Sequence, residues 1–140
     1  MKTISTSSLS LQAATHMAEA AIESAKNQNL KISVCILDES GNEKLYMRMD
    51  GAPLVAIDAC RKKAMTAIGF GIPTGDAWYN FIKDDPILLH GAQQLKNFIL
   101  LGGGAPIMHD GCLVGAIGVS GGHYHQDEKC VAAALSAFEK

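Results

Sequence analysis

The chain has 140 residues, 48% of them hydrophobic and 19% charged, with a formal net charge of −2. That length fits one domain with a buried core, and the lack of a basic excess argues against a nucleic-acid partner. Residues 1–8 are polar and no apolar run approaches the roughly 20 residues of a membrane helix, so we expect a cytoplasmic chain with a frayed start and no membrane partner.

Residues 8–28 read as an amphipathic helix. Ser8 or Ser10 supplies the cap, and Ala13, Met17, Ala20, Ala21 and Ala25 recur at helical spacing. Residues 31–37 and 43–49 read as an antiparallel hairpin around Asp38-Glu39-Ser40-Gly41-Asn42. Asp50-Gly51-Ala52-Pro53 turns into a second helix over 54–70, with Pro53 suited to its first turn and Gly69 and Gly71 marking its end. Short helices follow at 76–82 and 87–94, then strands at 98–101, 107–109 and 113–119. Asp110-Gly111 is the strongest hairpin signal, and 113–119 is apolar like a strand buried on both faces. A closing helix spans 126–138. Hairpins without crossover helices predict one antiparallel sheet flanked by helices.

Cys35, Cys60, Cys112 and Cys130 have no C-x-x-C spacing, which excludes the common local zinc and dithiol motifs; each sits in an apolar segment, and we expect four buried thiols. Arg61-Lys62-Lys63 is the one basic cluster and reads as a solvated helix face. Gly118-Val119-Ser120-Gly121-Gly122 fits the hydrolase pattern G-x-S-x-G, but that pattern needs an acid and then a histidine farther along, His123 and His125 lie too near in sequence, and no parallel sheet is expected. The other glycine clusters lack nucleotide-loop spacing.

Several segments together resemble the GlcG/HbpS heme-binding family. They are Asp38-x-x-Gly41, Arg48-Met49-Asp50-Gly51-Ala52, Lys63-Ala64-Met65-Thr66-Ala67, Gly102-Gly103-Gly104-Ala105-Pro106-Ile107, and above all 110–122, Asp110-Gly111-Cys112-Leu113-Val114-Gly115-Ala116-Ile117-Gly118-Val119-Ser120-Gly121-Gly122. The resemblance runs from about residue 9 to 137. It implies an α+β, profilin-like domain over 1–140, with a five-stranded antiparallel sheet between helices, assembled as a homo-oligomer, a hexamer or octamer. It also implies heme as a possible cofactor, for binding, storage or sensing. The alternative it implies is an accessory protein partnering enzymes of diol, glycerol or glycolate metabolism. Heme degradation is implied by the family label alone, and no catalytic residue is assigned.

The resemblance to PduO-type relatives makes His16 a candidate axial ligand; a packed or surface histidine is the alternative. Arg48 either pairs with Asp50 or anchors a propionate. Ser120, Gly121 and Gly122 precede the last helix and offer N–H groups to a propionate or another small anionic ligand. His123, His125 and Asp127 form a candidate metal set if the stretch is extended. Lys63 and Thr66 share a helix face, where Lys63 reaches solvent or an anion. Gly115 and Gly118 permit close approach of a backbone, helix or flat ligand.

Overall fold

The computed structural model describes residues 1–140. In chain order it contains α1 (Leu11–Asn27), β1 (Ser33–Asp38), β2 (Glu43–Arg48), α2 (Leu54–Phe70), α3 (Asp76–Ile82), α4 (Pro86–Ala92), β3 (Gly104–His109), β4 (Cys112–Ser120) and α5 (Tyr124–Glu139). The strands form one antiparallel sheet in the order β2-β1-β4-β3. No helix is long and apolar enough to cross a membrane.

Local chemistry sets the element ends. Ser10 caps α1, its side chain accepting from Ala13 N at 3.1 Å. In the β1–β2 turn the Asp38 carboxylate accepts from the N–H groups of Ser40 and Asn42, both at 2.9 Å, while Gly41 takes φ 82°. Asp110 and Gly111 both have positive φ, 49° and 76°, as a two-residue primed hairpin turn requires. Pro53 is the cap residue of α2 and lies just outside its first turn.

Strand alternation splits the core in two. Val34 and Ile36 of β1 join Ile117 and Val119 of β4 beneath α1 and α5, whose Ala14, Met17, Ala18, Ala21 and Cys130 complete the larger cluster. Cys35 and Leu37 face the other way, onto Cys60 and Ala64 of α2. Glycines let α2 lie against the sheet. Gly104 and Gly118 are register partners, and Cys35 is the partner of Gly118 on its other side. A Cβ on Gly118 would overlap the Cys60 carbonyl oxygen and lie 2.7 Å from Ala64 N; one on Gly104 would overlap the Lys63 carbonyl oxygen. What approaches Gly118 is therefore a helix backbone, and Gly115 is closed by the Leu37 carbonyl oxygen.

The sheet has four strands where five are expected. Residues 98–101 are not a strand because their backbone groups bond elsewhere: Ile99 N donates to Thr66 Oγ1 at 2.9 Å, and Gly75 N donates to Leu100 O at 2.8 Å. Phe98 and Leu100 instead pack on Trp78, Ile82 and Ala92 in a satellite cluster with α3 and α4. β3 begins at Gly104 and so contains Pro106, which an edge strand tolerates. Cysteine burial also departs from expectation. Cys35, Cys60 and Cys130 are buried, but Cys112 is exposed at the start of β4, beside the hairpin turn.

The basic run at 61–63 does not form one solvated face. Arg61 Nε lies 2.9 Å from Glu43 Oε1, with its guanidinium 4.5 Å above the Tyr46 ring. Lys62 pairs with Asp58 one turn back. Lys63 is 1% exposed. Its ammonium donates to Val119 O at 2.9 Å and to Asp127 Oδ2 at 3.0 Å, joining α2 on one face of the sheet to α5 on the other. The second carboxylate oxygen of Asp127 accepts from Gly122 N at 3.0 Å. Burial pushes the Asp127 carboxyl up from its ordinary range, against the opposing pull of the Lys63 ammonium and the Gly122 and Gly121 N–H groups.

Two outcomes follow for stability. Gly118→Ala should cost about 3 kcal/mol, the upper end for overpacking, whereas Gly69→Ala, helical with open space around it, should gain about 0.5–1 kcal/mol; urea melts compare them. Lys63→Met should cost about 3–5 kcal/mol near neutral pH by stranding a buried carboxylate. Losing the ammonium raises the folded-state Asp127 pKa further. Folded protein then binds that proton at higher pH than unfolded chain, so stability is retained at acid pH and lost as pH rises through the raised value. The deficit of the variant against the parent should accordingly shrink as pH is lowered from neutral toward the carboxylate range.

Candidate functional site

The candidate residues fall into two separate places. Arg48, Ser33 and Ser120 lie in one row across β2, β1 and β4, so Arg48 and the Ser120-Gly121-Gly122 turn share one end of the sheet. His16 is elsewhere, exposed on the outer side of α1.

At the sheet end, the chemistry is largely internal. The N–H groups expected to hold a ligand anion are turned to the Asp127 carboxylate, which Gly122 N reaches at 3.0 Å. The protein supplies its own anion to this turn, and Lys63 balances it. Lys63 therefore neither snorkels to solvent nor faces a ligand. Thr66, expected on the same helix face, bridges segments: its hydroxyl donates within reach of Lys62 O and Asn97 O and accepts from Ile99 N. Arg48 ends β2 exposed and makes no ion pair with Asp50: the chain leaves the strand at Met49 and turns through Asp50 and Gly51, the latter at φ 82°.

The His123, His125 and Asp127 set does not converge. The stretch is not extended: His123 caps α5, its Nδ1 accepting from His125 N at 3.2 Å while His123 N donates to Gln126 Oε1 at 2.9 Å. This capping box starts the helix at Tyr124, two residues before the expected 126, and sends Asp127 inward to Lys63. The His123 and His125 rings stack 5.1 Å apart outside. No group of three histidine, cysteine, aspartate or glutamate side chains is placed to hold a metal ion.

His16 lies in a different setting. The buried stripe of α1 is Ala14, Met17, Ala18, Ala21 and Ala25, which leaves Ala13, His16 and Ala20 on the outward side. α5 packs alongside, and the two helices enclose open grooves of about 820 and 530 Å³ that meet at His16. The first is bordered by Leu11, Ala13, Ala137, Phe138 and Lys140; the second adds Ala20 and Ala133. Sequence reading found His16 and its alanine neighbours. It missed the α5 wall, including Phe138 and Lys140, because no local pattern says which helix packs beside α1. The ring of His109, at the end of β3, meets Phe138 edge-on at 5.8 Å behind that wall.

The setting combines an exposed imidazole with a small-residue border. Imidazole is a normal axial ligand to heme iron. The alanines on both helices leave a shallow border, Leu11 and Phe138 add apolar surface, and the charged side chains along it are Lys140, Glu19 and Glu23. The volume lies within the range of ligand clefts.

Of the cysteines, none is poised as a nucleophile on the buried side. Burial pushes the Cys35 thiol far up, and pushes Cys60 up to about 11, with Cys130 also raised.

A family model described as "Haem degrading protein HbpS-like" matches residues 9–136. An uncharacterized 15.0 kDa protein in the dhaT-dhaS intergenic region of Citrobacter freundii is 31% identical, over 94% of this chain and 93% of its own length. The corrinoid adenosyltransferase PduO of Salmonella typhimurium is 30% identical over 87% of this chain, which spans only 36% of that protein. Among solved structures, Klebsiella pneumoniae ORFY superimposes with a TM-score of 0.88 at 30% identity, covering 99% of this chain and 96% of that one. A PduOC–heme complex superimposes with a TM-score of 0.79 at 28% identity, covering 93% and 94%. The family resemblance read from the sequence is thereby shown, and the chain belongs to the HbpS-like family.

Proposed function

We propose that this chain binds heme in the α1–α5 groove, with His16 as an axial ligand, as a binding, storage or sensing protein. The observation that carries the reading is the position of His16: an exposed imidazole where two grooves meet, flanked by alanines of both helices. The heme complex of a related structure supports the same ligand class. Bound heme would supply the iron centre and its absorption. The chain contributes the imidazole, the apolar border of Leu11 and Phe138, and the Lys140 charge near a propionate. Arg48 and the Ser120-Gly121-Gly122 turn have no part in this site, since they lie at the end of the sheet.

A homo-oligomer, a hexamer or octamer, completes the proposal. Leu54, Val55, Phe81 and Ile87 are each more than two-thirds exposed, an amount of unpartnered apolar surface that favours association. The same surface favours the second reading, an accessory protein docking on enzymes of diol, glycerol or glycolate metabolism.

Heme titration followed by absorbance, with mass measured by light scattering, tests both parts. The expected result is one saturable site per chain on an oligomer, and at least a tenfold loss of affinity in His16→Ala, about 1.4 kcal/mol. Weak, super-stoichiometric uptake unchanged in His16→Ala would remove heme from the account, and a stable monomer would remove the oligomer.

A further inference from the structure

Strand alternation delivers one more side chain to the wall of the α1–α5 groove. Ala105 and Ile107 of β3 point into the larger core cluster beneath α5. Two residues farther on, the same face of the strand carries His109, beyond the edge of that core and with its side chain 64% exposed. There its ring meets Phe138 of α5, with centroids 5.8 Å apart and planes at 78°, the edge-to-face arrangement that aromatic pairs favour. Asp110, in the hairpin turn, places Oδ2 3.4 Å from His109 Nε2. An imidazole suits this spot because it offers an aromatic body to Phe138 and polar nitrogens to the water around the hairpin.

Phe138 packs at the margin of the core cluster, borders the groove and meets His109, all from the last turn of its helix. The backbone of that turn is weakly held. The final carbonyls of a helix lack intrahelical donors, no basic residue lies within the last turn of α5, and the bond from Lys140 N to Ala137 O is long at 3.4 Å. Side-chain contacts therefore decide how that turn sits. His109 lines neither groove, so it acts through Phe138 and not as an iron ligand.

We infer that His109 is a positioning residue for the groove: it sets the Phe138 ring as the apolar wall, and with it the last turn of α5, which brings Ala137 to the same border. The ligand in this inference rests on the heme reading, and the position of the wall rests on the His109–Phe138 contact alone.

Hydrogen exchange of the ligand-free protein and heme titration divide the test. In His109→Ala the amides of the last turn of α5 should exchange at least about threefold faster, while those of its first turn, tied to Lys63 through Asp127, stay as in the parent. His109→Phe, which keeps an aromatic ring, should restore the parent rate. Heme affinity should fall about three- to tenfold in His109→Ala, the range that an edge-to-face pair spans, and recover in His109→Phe. The absorption spectrum of bound heme should not change, because His16 still holds the iron. In a Phe138→Leu background His109→Ala should cost nothing more, since the ring it acts on is gone. Three results overturn the proposal: unchanged exchange in His109→Ala, additive losses of affinity in the double variant, or a His109→Ala spectrum like that of His16→Ala, which would make His109 a ligand. If the parent takes up no heme at a saturable site, the heme reading falls alone and the exchange rates decide what positions the wall.

Discussion

Lys63 extends from the underside of α2, passes the end of β4 and meets Asp127 on the far helix layer, and the arrangement of that end of the molecule follows from this contact. Two charges taken out of water cost several kcal/mol each before their attraction returns any of it, so the pair contributes position more than stability. It tells α5 where to begin. It also bears on the glycine at 103, where a Cβ would lie 2.7 Å from the Val119 carbonyl oxygen that accepts from Lys63, and 3.0 Å from both the Lys63 ammonium and the Asp127 Cβ. Gly121 and Gly122 are glycines for want of space: a Cβ on Gly121 would overlap the Lys31 carbonyl oxygen, and one on Gly122 would lie 2.8 Å from Gln126 Oε1.

That internal pairing changes where function can reside. A turn of free N–H groups before a helix is a natural anion site, and here the anion is part of the chain. With the sheet end closed by Lys63 and Asp127, the surfaces left for ligands are those the helices make with one another and with the α3–α4 lobe. Small residues govern the first of these. Ala14, Ala18 and Ala21 let α1 settle against α5 and the sheet, and that same rotation turns His16 outward.

Turn chemistry was legible in the sequence because it is local. Asp38 to Asn42 and Asp110-Gly111 each carry their own reason to bend, and both hairpins stand where expected. The α2 boundaries matched residue for residue. What escaped depends on distant partners. Lys63 looked like a surface lysine until paired with a carboxylate 64 residues away. Residues 98–101 have strand composition, but their hydrogen bonds go to Thr66 and Gly75, on segments no local pattern connects to them. His123 resembles a metal ligand in sequence and acts as a helix cap, a role few histidines take. His16 was found as a residue, while the groove that gives it meaning depends on helix packing.

The placement of the cysteines has a practical consequence. Three thiols are sealed inside with their ionisation suppressed, and the fourth stands exposed at a hairpin. The native chain is therefore a singly addressable molecule: a spin label or fluorophore attaches at Cys112 with no cysteine removed. In an assembly every copy carries one label at the same spot, and the distances between labels report the symmetry of the whole without a crystal.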